Sequence, residues 1–121
     1  MLVVDDDTDA RRLLRTVLVY HGAIVTTAAT VDAALRAIRR VKPDVLVCAV
    51  VMPGKDGYAL LRALRVLPEP LNSIPVIALT AFRHEHPPER TARAGFQAHL
   101  TKPVDLQRLC DAVRRLGRGT T

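Results

Sequence analysis

Three acidic residues follow one another near the amino terminus, where a short apolar run gives way to a helical pattern. Asp5, Asp6 and Asp7 come directly after the apolar residues 2–4. Negative charge suits the positive end of a helix dipole, so N-capping explains one or two of these carboxylates. Three successive carboxylates also repel one another, and a bound hard cation such as Mg²⁺ would relieve that repulsion. The run leaves two functions open, helix capping and metal binding.

Two polar residues end later apolar segments of the chain. Thr80 ends the run 75–80, and Lys102 follows the run 96–100. Each could be an ordinary strand or surface residue. Alternatively, the lysine could neutralise the acidic run or bind a phosphoryl oxygen, and the threonine hydroxyl could donate to that oxygen. Their joint spacing, rather than either residue alone, favours a shared site.

Apolar periodicity predicts strands and helices in strict alternation. The strands are predicted over residues 2–4, 24–28, 45–51, 75–80 and 96–100, and the helices over residues 13–21, 31–41, 57–67, 89–94 and 106–116. Short, continuous apolar strands between amphipathic helices are typical of a parallel sheet covered on both faces. We therefore predict an α/β fold, a single flavodoxin-like (βα)5 domain with a five-stranded parallel sheet of order 2-1-3-4-5 and helices on both faces.

The predicted fold itself locates a site. In open α/β sheets, ligands bind outside the carboxyl ends of the strands, at the point between strands 1 and 3 where the strand order reverses. That point is bordered by the acidic run, by the segment 49–53, by Thr80 and by Lys102. We therefore expect these residues to form the functional site.

The length and composition indicate one globular domain. The chain has 121 residues, of which 49% are hydrophobic and 25% charged, a balance typical of a folded domain. We predict a domain over residues 1–116 and a flexible C-terminal tail over residues 117–121. The sequence shows no signal peptide and no apolar segment of the ~20 residues that span a membrane. Cys48 and Cys110 make no disulfide framework, so we expect a cytoplasmic domain without membrane contact.

The chain is basic, with a formal net charge of +6. Such a balance admits a nucleic acid or an acidic protein as partner. The basic residues are spread over the predicted helices, however, and the aromatic residues, 3% of the chain, form no base-stacking surface. A solvated, arginine-rich surface also explains the charge. Nucleic acid binding is therefore disfavoured, and a basic adaptor for nucleic acid or an acidic partner is the alternative function.

Four motifs stand at the ends of four predicted strands, in a fixed order along the chain. They are Val3-Val4-Asp5-Asp6, Met52-Pro53-Gly54-Lys55-Asp56-Gly57, Thr80-Ala81 and Lys102-Pro103. Together they resemble the motifs of response-regulator receiver domains, the phosphorylatable modules of two-component phosphorelays, and the resemblance covers essentially the whole chain. The segments 52–58 and 94–104 are similar in particular to receivers attached to hybrid sensor histidine kinases.

The resemblance implies a magnesium site at the acidic run. Asp6 corresponds to the carboxylate that ligates Mg²⁺ directly in the family, and Asp5 to the one that acts largely through water. Val51 corresponds to the residue whose backbone carbonyl contacts the metal. The family's loop that follows is matched by Met52, Pro53, Gly54, Asp56 and Gly57.

The resemblance also implies a phosphoryl-binding and switching apparatus. Thr80 corresponds to the hydroxyl that turns towards a phosphoryl group, and Lys102 to the lysine that pairs with the acceptor or its phosphate. The peptide bond after this lysine is often cis in the family. His99 takes the place of the rotating aromatic switch residue, commonly tyrosine or phenylalanine. For His84 and His86, before the fourth helix, a solvated loop is favoured over a metal site.

The residue that gives the family its reaction is missing. Receiver domains carry a phosphate-accepting aspartate at the end of the third strand, and the corresponding residue here is Ala49. A methyl group neither attacks phosphorus nor holds a cation. Asp44 lies at the other end of the strand, Asp56 is predicted to cap a helix, and the Cys48 side chain points to the opposite face. We therefore predict that aspartyl phosphorylation is absent.

Loss of this carboxylate also weakens the predicted metal site, because one of the family's three carboxylates is gone. We predict weak or absent Mg²⁺ binding, and we expect Lys102 to turn towards Asp5 or Asp6 instead. The alanine is either a natural feature of a degenerate receiver or a deliberate change from aspartate, and the sequence leaves both origins open.

We therefore expect a signalling module of the phosphorelay class, not an enzyme, that acts by protein–protein interaction. Its expected contact surface is the fourth helix, fifth strand and fifth helix, which could also form a dimer. The expected partners are a histidine kinase or another phosphorelay protein, and a kinase or output domain could be attached. A flavodoxin-like enzyme or nucleotide binder is disfavoured, because no glycine-rich phosphate loop follows the first strand and the acids there would repel a nucleotide phosphate.

Overall fold

The computed structural model describes residues 1–81 and 85–117. These residues form the predicted alternation of strands and helices. His84 and residues 118–121, which make up most of the tail predicted to be flexible, lie outside the described residues. The domain boundary at residue 116 stays a prediction. None of the described helices combines the length and the hydropathy needed to cross a bilayer.

Five parallel strands form one sheet. They are β1 (Leu2–Val4), β2 (Thr26–Ala28), β3 (Leu46–Ala49), β4 (Val76–Thr80) and β5 (Ala98–Thr101). Their spatial order is β2-β1-β3-β4-β5, so the predicted fold class and strand order are confirmed. The central position of β1 and β3 follows from their continuous apolar sequences, since both faces of a central strand are buried.

Helices alternate with the strands along the chain. They are α1 (Thr8–Tyr20), α2 (Val31–Val41), α3 (Gly57–Arg65), α4 (Pro88–Ala94) and α5 (Leu106–Gly117). A 3₁₀ turn, Leu71–Ser73, lies in a segment predicted as a loop. Four helices begin at a side chain that accepts a hydrogen bond from a backbone N–H two or three residues further on. These capping residues are Asp7, Thr30, Asp56 and Asp105.

Two apolar layers enclose the sheet. One layer lies under α2 and α3 and includes Leu2 and Cys48, and the other lies under α1 and α5 and includes Val3 and Val47. Successive residues of a strand face opposite sides of the sheet, which explains this division. The Cys48 thiol therefore packs under helices, as predicted.

Two strands, β2 and β3, are shorter than the predicted ranges by two residues or more. The prediction begins β2 at Ile24, but the strand begins at Thr26 and the Ile24 side chain is 87% exposed. As an edge strand, β2 pairs only with the three residues of β1. The prediction extends β3 to Val51, but the strand ends at Ala49 because the chain then turns out of the sheet towards α3.

The apolar pattern also gives a wrong prediction for the start of β5 and for the buried face of α1. The prediction begins β5 at residue 96, whereas its pairing with β4 begins where Ala98 lies beside Ile77. Leu13 belongs to the predicted apolar face of α1 but is 55% exposed. The buried face of α1 is formed by Leu14 and Leu18, which lie one turn apart.

Candidate functional site

The carboxyl ends of β1, β3, β4 and β5 lie side by side at one edge of the sheet, called the carboxyl edge here. Asp5 follows β1 directly, and Lys102 follows β5 directly. Ala49 and Thr80 are the last residues of the neighbouring strands β3 and β4. The structure thus gathers these four predicted site residues along the same edge.

Asp5 and Lys102 form an ion pair across this edge. Lys102 Nζ lies 2.7 Å from Asp5 Oδ2, and the side chains are 29% and 1% exposed. A carboxylate buried to this degree needs a partner, because its transfer out of water is costly. The expectation that Lys102 turns towards Asp5 or Asp6 is confirmed for Asp5.

The remaining oxygens of Asp5 are also hydrogen-bonded. Its Oδ1 accepts from the N–H of Asp7 at 3.0 Å, and its backbone carbonyl accepts from Arg11 Nη1 at 2.7 Å. Arg11 also donates from Nη2 to Thr8 Oγ1 at 3.3 Å. Arg11 was not among the predicted site residues. Arg11 lies on the first turn of α1, and α1 begins beside the end of β1. This position could have identified it as a site residue.

The other two acids of the run have different environments. Asp7 caps α1, and its Oδ1 accepts from the N–H groups of Asp9 at 2.9 Å and Ala10 at 3.2 Å. Capping by one acid of the run is therefore confirmed. Asp6 is exposed to solvent. Within residues 1–81 and 85–117, no three histidine, cysteine, aspartate or glutamate side chains come together as a set of metal ligands.

Ala49 is buried at the end of β3, and the loop after it folds back closely. The N–H of Gly57 donates to the carbonyl of Val50 at 2.8 Å. A Cβ at position 57 would lie 2.7 Å from the Ala49 carbonyl oxygen, so a side chain there does not fit. Gly54 has φ +77°, in the left-handed region that favours glycine. Both glycines of the loop motif thus have a structural explanation.

The other loop residues are divided between the core and the surface. Asp56 caps α3 by accepting from the N–H of Ala59 at 2.9 Å, as predicted. Met52 is buried in the apolar layer under α2 and α3. Pro53 is exposed, and the Val51 side chain is 43% exposed. The loop therefore fixes the path of the chain from Ala49 to α3.

Thr80 and Lys102 are joined through the backbone. The N–H of Lys102 donates to the carbonyl of Thr80 at 2.9 Å. Thr80 is 2% exposed at the end of β4. The bond from Lys102 to Pro103 is cis, as the resemblance implies. The backbone of β4 therefore holds the lysine at the carboxyl edge.

His99 contacts the helix that precedes its strand. Its Nδ1 lies 2.8 Å from Thr91 Oγ1, and this threonine, on α4, is fully buried. Thr91 Oγ1 also donates to the carbonyl of Pro88 at 3.1 Å. With its single hydrogen used in that bond, the hydroxyl accepts from the histidine N–H. Thr91 was not among the predicted site residues, because it belongs to no motif and is linked to His99 only by the fold.

Cys48 and Asp44 lie near or on the same strand as position 49, but both are engaged in other contacts. Burial raises the pKa of the Cys48 thiol, and neighbouring carboxylates raise it further. This thiol lies 3.2 Å from the carbonyl oxygen of Ala49, to which it donates. Asp44 lies before β3, at the opposite end of the sheet, with its Oδ1 3.8 Å from the Met1 ammonium.

A polar and aromatic cluster joins α3 to the segment that leads into α4. The Tyr58 hydroxyl lies 3.1 Å from His86 Nδ1, and the Arg90 guanidinium lies 5.1 Å from the centre of the tyrosine ring. Phe96 packs edge-on against the same ring at 5.8 Å. Burial raises the pKa of Tyr58. His86, predicted to lie in a solvated loop, is instead half-buried against Tyr58.

Comparison with known sequences identifies relatives over nearly the whole chain. A model of the response regulator receiver domain matches residues 1–114. An uncharacterized 14.6 kDa protein in the sodA1 3' region of Leptolyngbya boryana is 47% identical over 105 residues, covering 87% of this chain and 79% of that protein. Sporulation initiation phosphotransferase F of Bacillus subtilis is 30% identical, covering 95% and 90%. Response regulator MprA of Mycobacterium leprae is 38% identical over 99% of this chain, which spans only 51% of that protein.

Comparison with solved structures gives the same result. The receiver domain of the Francisella response regulator 1452 has a TM-score of 0.88 and 31% identity, covering 99% of this chain and 97% of that chain. The receiver domain of a signal transduction histidine kinase from Syntrophus aciditrophicus has a TM-score of 0.88 and 32% identity, covering 99% and 90%. The chain therefore belongs to the response-regulator receiver domains, the signalling modules of two-component systems.

Proposed function

We propose that this chain is a receiver domain that stays outside the aspartyl-phosphate cycle and signals by contact with other proteins. The observation that carries the proposal is Ala49, buried at the end of β3 in the place of the acceptor aspartate. In the family's reaction, a carboxylate oxygen forms a bond to phosphorus while the bond from phosphorus to the donor's leaving group breaks. A methyl carbon has no lone pair for this attack.

The charges around the missing carboxylate support the proposal. In a phosphorylatable site, the lysine at this position would stabilise the oxygens of the phosphoryl group. Here the Lys102 ammonium contacts Asp5 at 2.7 Å, and Arg11 donates to the carbonyl of the same aspartate. Lys102 thus supplies the counter-charge of the Asp5 carboxylate. We infer that the lysine has a structural role at this edge.

Receiver domains bind Mg²⁺ as a family, but the donors at this edge do not fit that ion. Both carboxylate oxygens of Asp5 already accept hydrogen bonds, from Lys102 and from the N–H of Asp7. Asp6 is the exposed carboxylate that remains, with the carbonyl of Val51 as the backbone ligand that the family would use. Mg²⁺ demands octahedral oxygen coordination, and this set supplies too little of it. We infer that Mg²⁺ binding is weak or absent.

The surface through which the domain would act is formed by α4, β5 and α5. The bond between His99 and Thr91 connects β5 to α4, which supports a fixed arrangement of this surface. His99 would then serve as a bound contact rather than as a rotating switch. A partner that recognises this arrangement would bind it at all times, independently of phosphorylation. A second copy of the chain could use the same surface to form a dimer.

Receivers interact with histidine kinases and other phosphorelay proteins, and we infer a partner from this class. The Syntrophus aciditrophicus neighbour is the receiver of a histidine kinase, and MprA is about twice as long as the part that this chain matches. An attached kinase or output domain would therefore be in keeping with both relatives. Such a domain would carry the downstream effect.

One experiment tests whether the residue at position 49 alone prevents phosphorylation. The chain and its Ala49→Asp variant are incubated with Mg²⁺ and acetyl phosphate, and the intact mass of each is measured. We expect only the variant to gain one phosphoryl group, which alkaline hydroxylamine should remove. Ala49→Asn is the matched control, because an amide restores the size of the side chain without supplying the nucleophile.

Phosphorylation of the unchanged chain, in a form sensitive to hydroxylamine, would refute the proposal. If the Ala49→Asp variant also stays unmodified, the loss of function extends beyond position 49. The pairing of Lys102 with Asp5 would then be the next contact to examine.

A further inference from the structure

A cavity of about 400 Å³ opens at the amino edge of the sheet, the end opposite Ala49. We propose that it binds a small amphiphilic organic anion, a molecule with an apolar body and one carboxylate or sulfonate group. Its volume falls within the roughly 300–1,000 Å³ of small-molecule sites in proteins. We call it the amino-edge cavity. Its apolar walls are formed by Pro43, Pro70, Leu71, Ile74, Pro75 and Leu116.

The walls of the amino-edge cavity are fixed by Arg65 of α3. Its Nη1 donates to the carbonyls of Asn72 at 3.0 Å and Ile74 at 2.8 Å. Its Nη2 donates to Gln97 Oε1 at 3.3 Å, and the same oxygen accepts from the N–H of Val76 at 2.7 Å. These bonds tie the segment before β4 to α3 and to the start of β5.

Proline supplies a second source of rigidity. Three of the six apolar wall residues are prolines, whose rings fix the backbone angle φ. A cavity whose walls are ordered before binding loses less conformational entropy when a ligand enters. The apolar body of a ligand would therefore meet a preformed surface.

The charges at the mouth of the cavity select an anion. Lys42 and Arg115 both line it and are exposed, and neither forms an ion pair with another described residue. Asp44 also lines the cavity, but its carboxylate faces the Met1 ammonium at 3.8 Å. Helix dipoles favour cations where α2 and α5 end, which explains why basic residues occur there. Both side chains nevertheless border the cavity, where they favour a ligand of negative charge.

The proposal is independent of the phosphoryl site. The amino-edge cavity lies at the other end of the sheet from Asp5 and Lys102, and it needs neither an acceptor nor Mg²⁺. A receiver without an acceptor could thus still respond to a diffusible molecule.

Titration of the full 121-residue chain with decanoate tests the site. Amide signals are followed by two-dimensional NMR, because the chain contains no tryptophan for a fluorescence measurement. We expect saturable binding at one site, with a dissociation constant on the order of 1 mM. The signals that shift should belong to residues 71–74 and 115–117. Decanol, which has the same chain without the charge, should bind about threefold more weakly.

Two variants separate the cavity from non-specific binding. Ser73→Trp places a large side chain at an exposed residue of the cavity rim and should abolish the saturable shifts. Arg115→Glu should weaken decanoate binding about threefold or more and leave decanol binding unchanged. Arg114→Glu is the matched control, because this neighbouring residue lies outside the amino-edge cavity and pairs with Asp111. It should leave both ligands unaffected.

Three results would overturn the proposal. They are shifts that do not saturate or that map elsewhere, unchanged binding in Ser73→Trp, and equal effects of Arg114→Glu and Arg115→Glu on decanoate. Melting curves of each variant, followed by circular dichroism, establish that it is folded before the titration is interpreted.

Discussion

The ammonium nitrogen of Lys102 lies 2.7 Å from a carboxylate oxygen of Asp5, whose side chain is 1% exposed. In a receiver with its acceptor in place, the lysine would have that acceptor as a second anionic neighbour. Here the lysine ammonium donates its hydrogen bond to the Asp5 carboxylate. Under the proposed function, this ion pair is structural and takes no part in phosphoryl transfer.

Removal of the lysine should destabilise the fold. Lys102→Met would leave the Asp5 carboxylate buried without its counter-charge, at a cost of about 2–3 kcal/mol in the free energy of unfolding. Urea denaturation followed by circular dichroism measures this change. The double variant Asp5→Asn with Lys102→Met should recover much of the loss, because the uncompensated charge is then gone.

Lys55→Met is the matched control for that substitution. Lys55 pairs with Asp32 at 2.8 Å, but the two side chains are 62% and 60% exposed. Exposed pairs contribute little to stability because water screens their charges, so this substitution should have a much smaller effect. Equal losses in the two lysine variants would show that burial of Asp5 does not matter.

Mg²⁺ affinity should depend on the residue at position 49. We expect Ala49→Asp to bind Mg²⁺ at least about tenfold more tightly than the unchanged chain, because it adds a carboxylate ligand at the carboxyl edge. Amide shifts during a Mg²⁺ titration measure both affinities. In the Ala49→Asp variant, a second substitution, Asp6→Asn, should weaken Mg²⁺ binding again. Tight, specific binding by the unchanged chain would contradict the proposed site.

Gly57 should tolerate no side chain. Gly57→Ala would bring a Cβ within 2.7 Å of the Ala49 carbonyl oxygen, and the forced backbone shift should cost about 2 kcal/mol or more in stability. Gly22→Ala is the comparison, because Gly22 has φ +94° but nothing within 4 Å of the new methyl group. Its cost should stay at about 1 kcal/mol, from the left-handed backbone alone. A smaller effect at Gly57 would mean that the loop relaxes freely.

Alkaline pH should destabilise the domain through Cys48. Burial raises the pKa of this thiol above its ordinary value of 9.0, so the folded state holds the proton more tightly than the unfolded state does. The stabilising effect of the protonated thiol is complete below that ordinary pKa. As pH rises above it, the free energy of unfolding falls by up to about 1.4 kcal/mol per pH unit. Urea denaturation at pH 8 and pH 10.5 measures the loss.

Cys48→Ala should flatten this pH dependence. Burial also raises the pKa of Tyr58 and Cys110, so a smaller alkaline loss should remain in that variant. Cys110→Ala is the matched control and should keep the loss that Cys48 causes. An identical slope in the unchanged chain and in Cys48→Ala would rule out this role for the thiol.

The fold and the central contact of the site were predictable because they depend on repeating signals. Alternating apolar strands and amphipathic helices determine the parallel sheet, and the strand order then brings Asp5 and Lys102 to one edge. Position 49 carries an alanine, so the acidic run is the expected source of a counter-charge for the lysine at this edge. Thr30 and Asp56 were predictable as caps because capping acts within three residues of sequence.

Other contacts were not predictable because they join distant segments without a repeating pattern. Arg65 bonds backbone carbonyls of the segment before β4, and a carbonyl has no sequence signature. Thr91 meets His99 only because α4 packs on β5. Ile24 has the apolar character of a strand residue, yet the pairing of β2 with β1 begins only at Thr26.

The ion pair at the carboxyl edge joins residues that are 97 positions apart in the chain. We expect a contact over such a separation to form late, because the intervening strands must assemble before the two side chains can meet. Its energy should therefore act mainly after the folding barrier has been crossed. In unfolding kinetics, Lys102→Met should speed the opening of the native state and leave the folding rate nearly unchanged. This contact would then add to the lifetime of the folded state more than to the speed of folding.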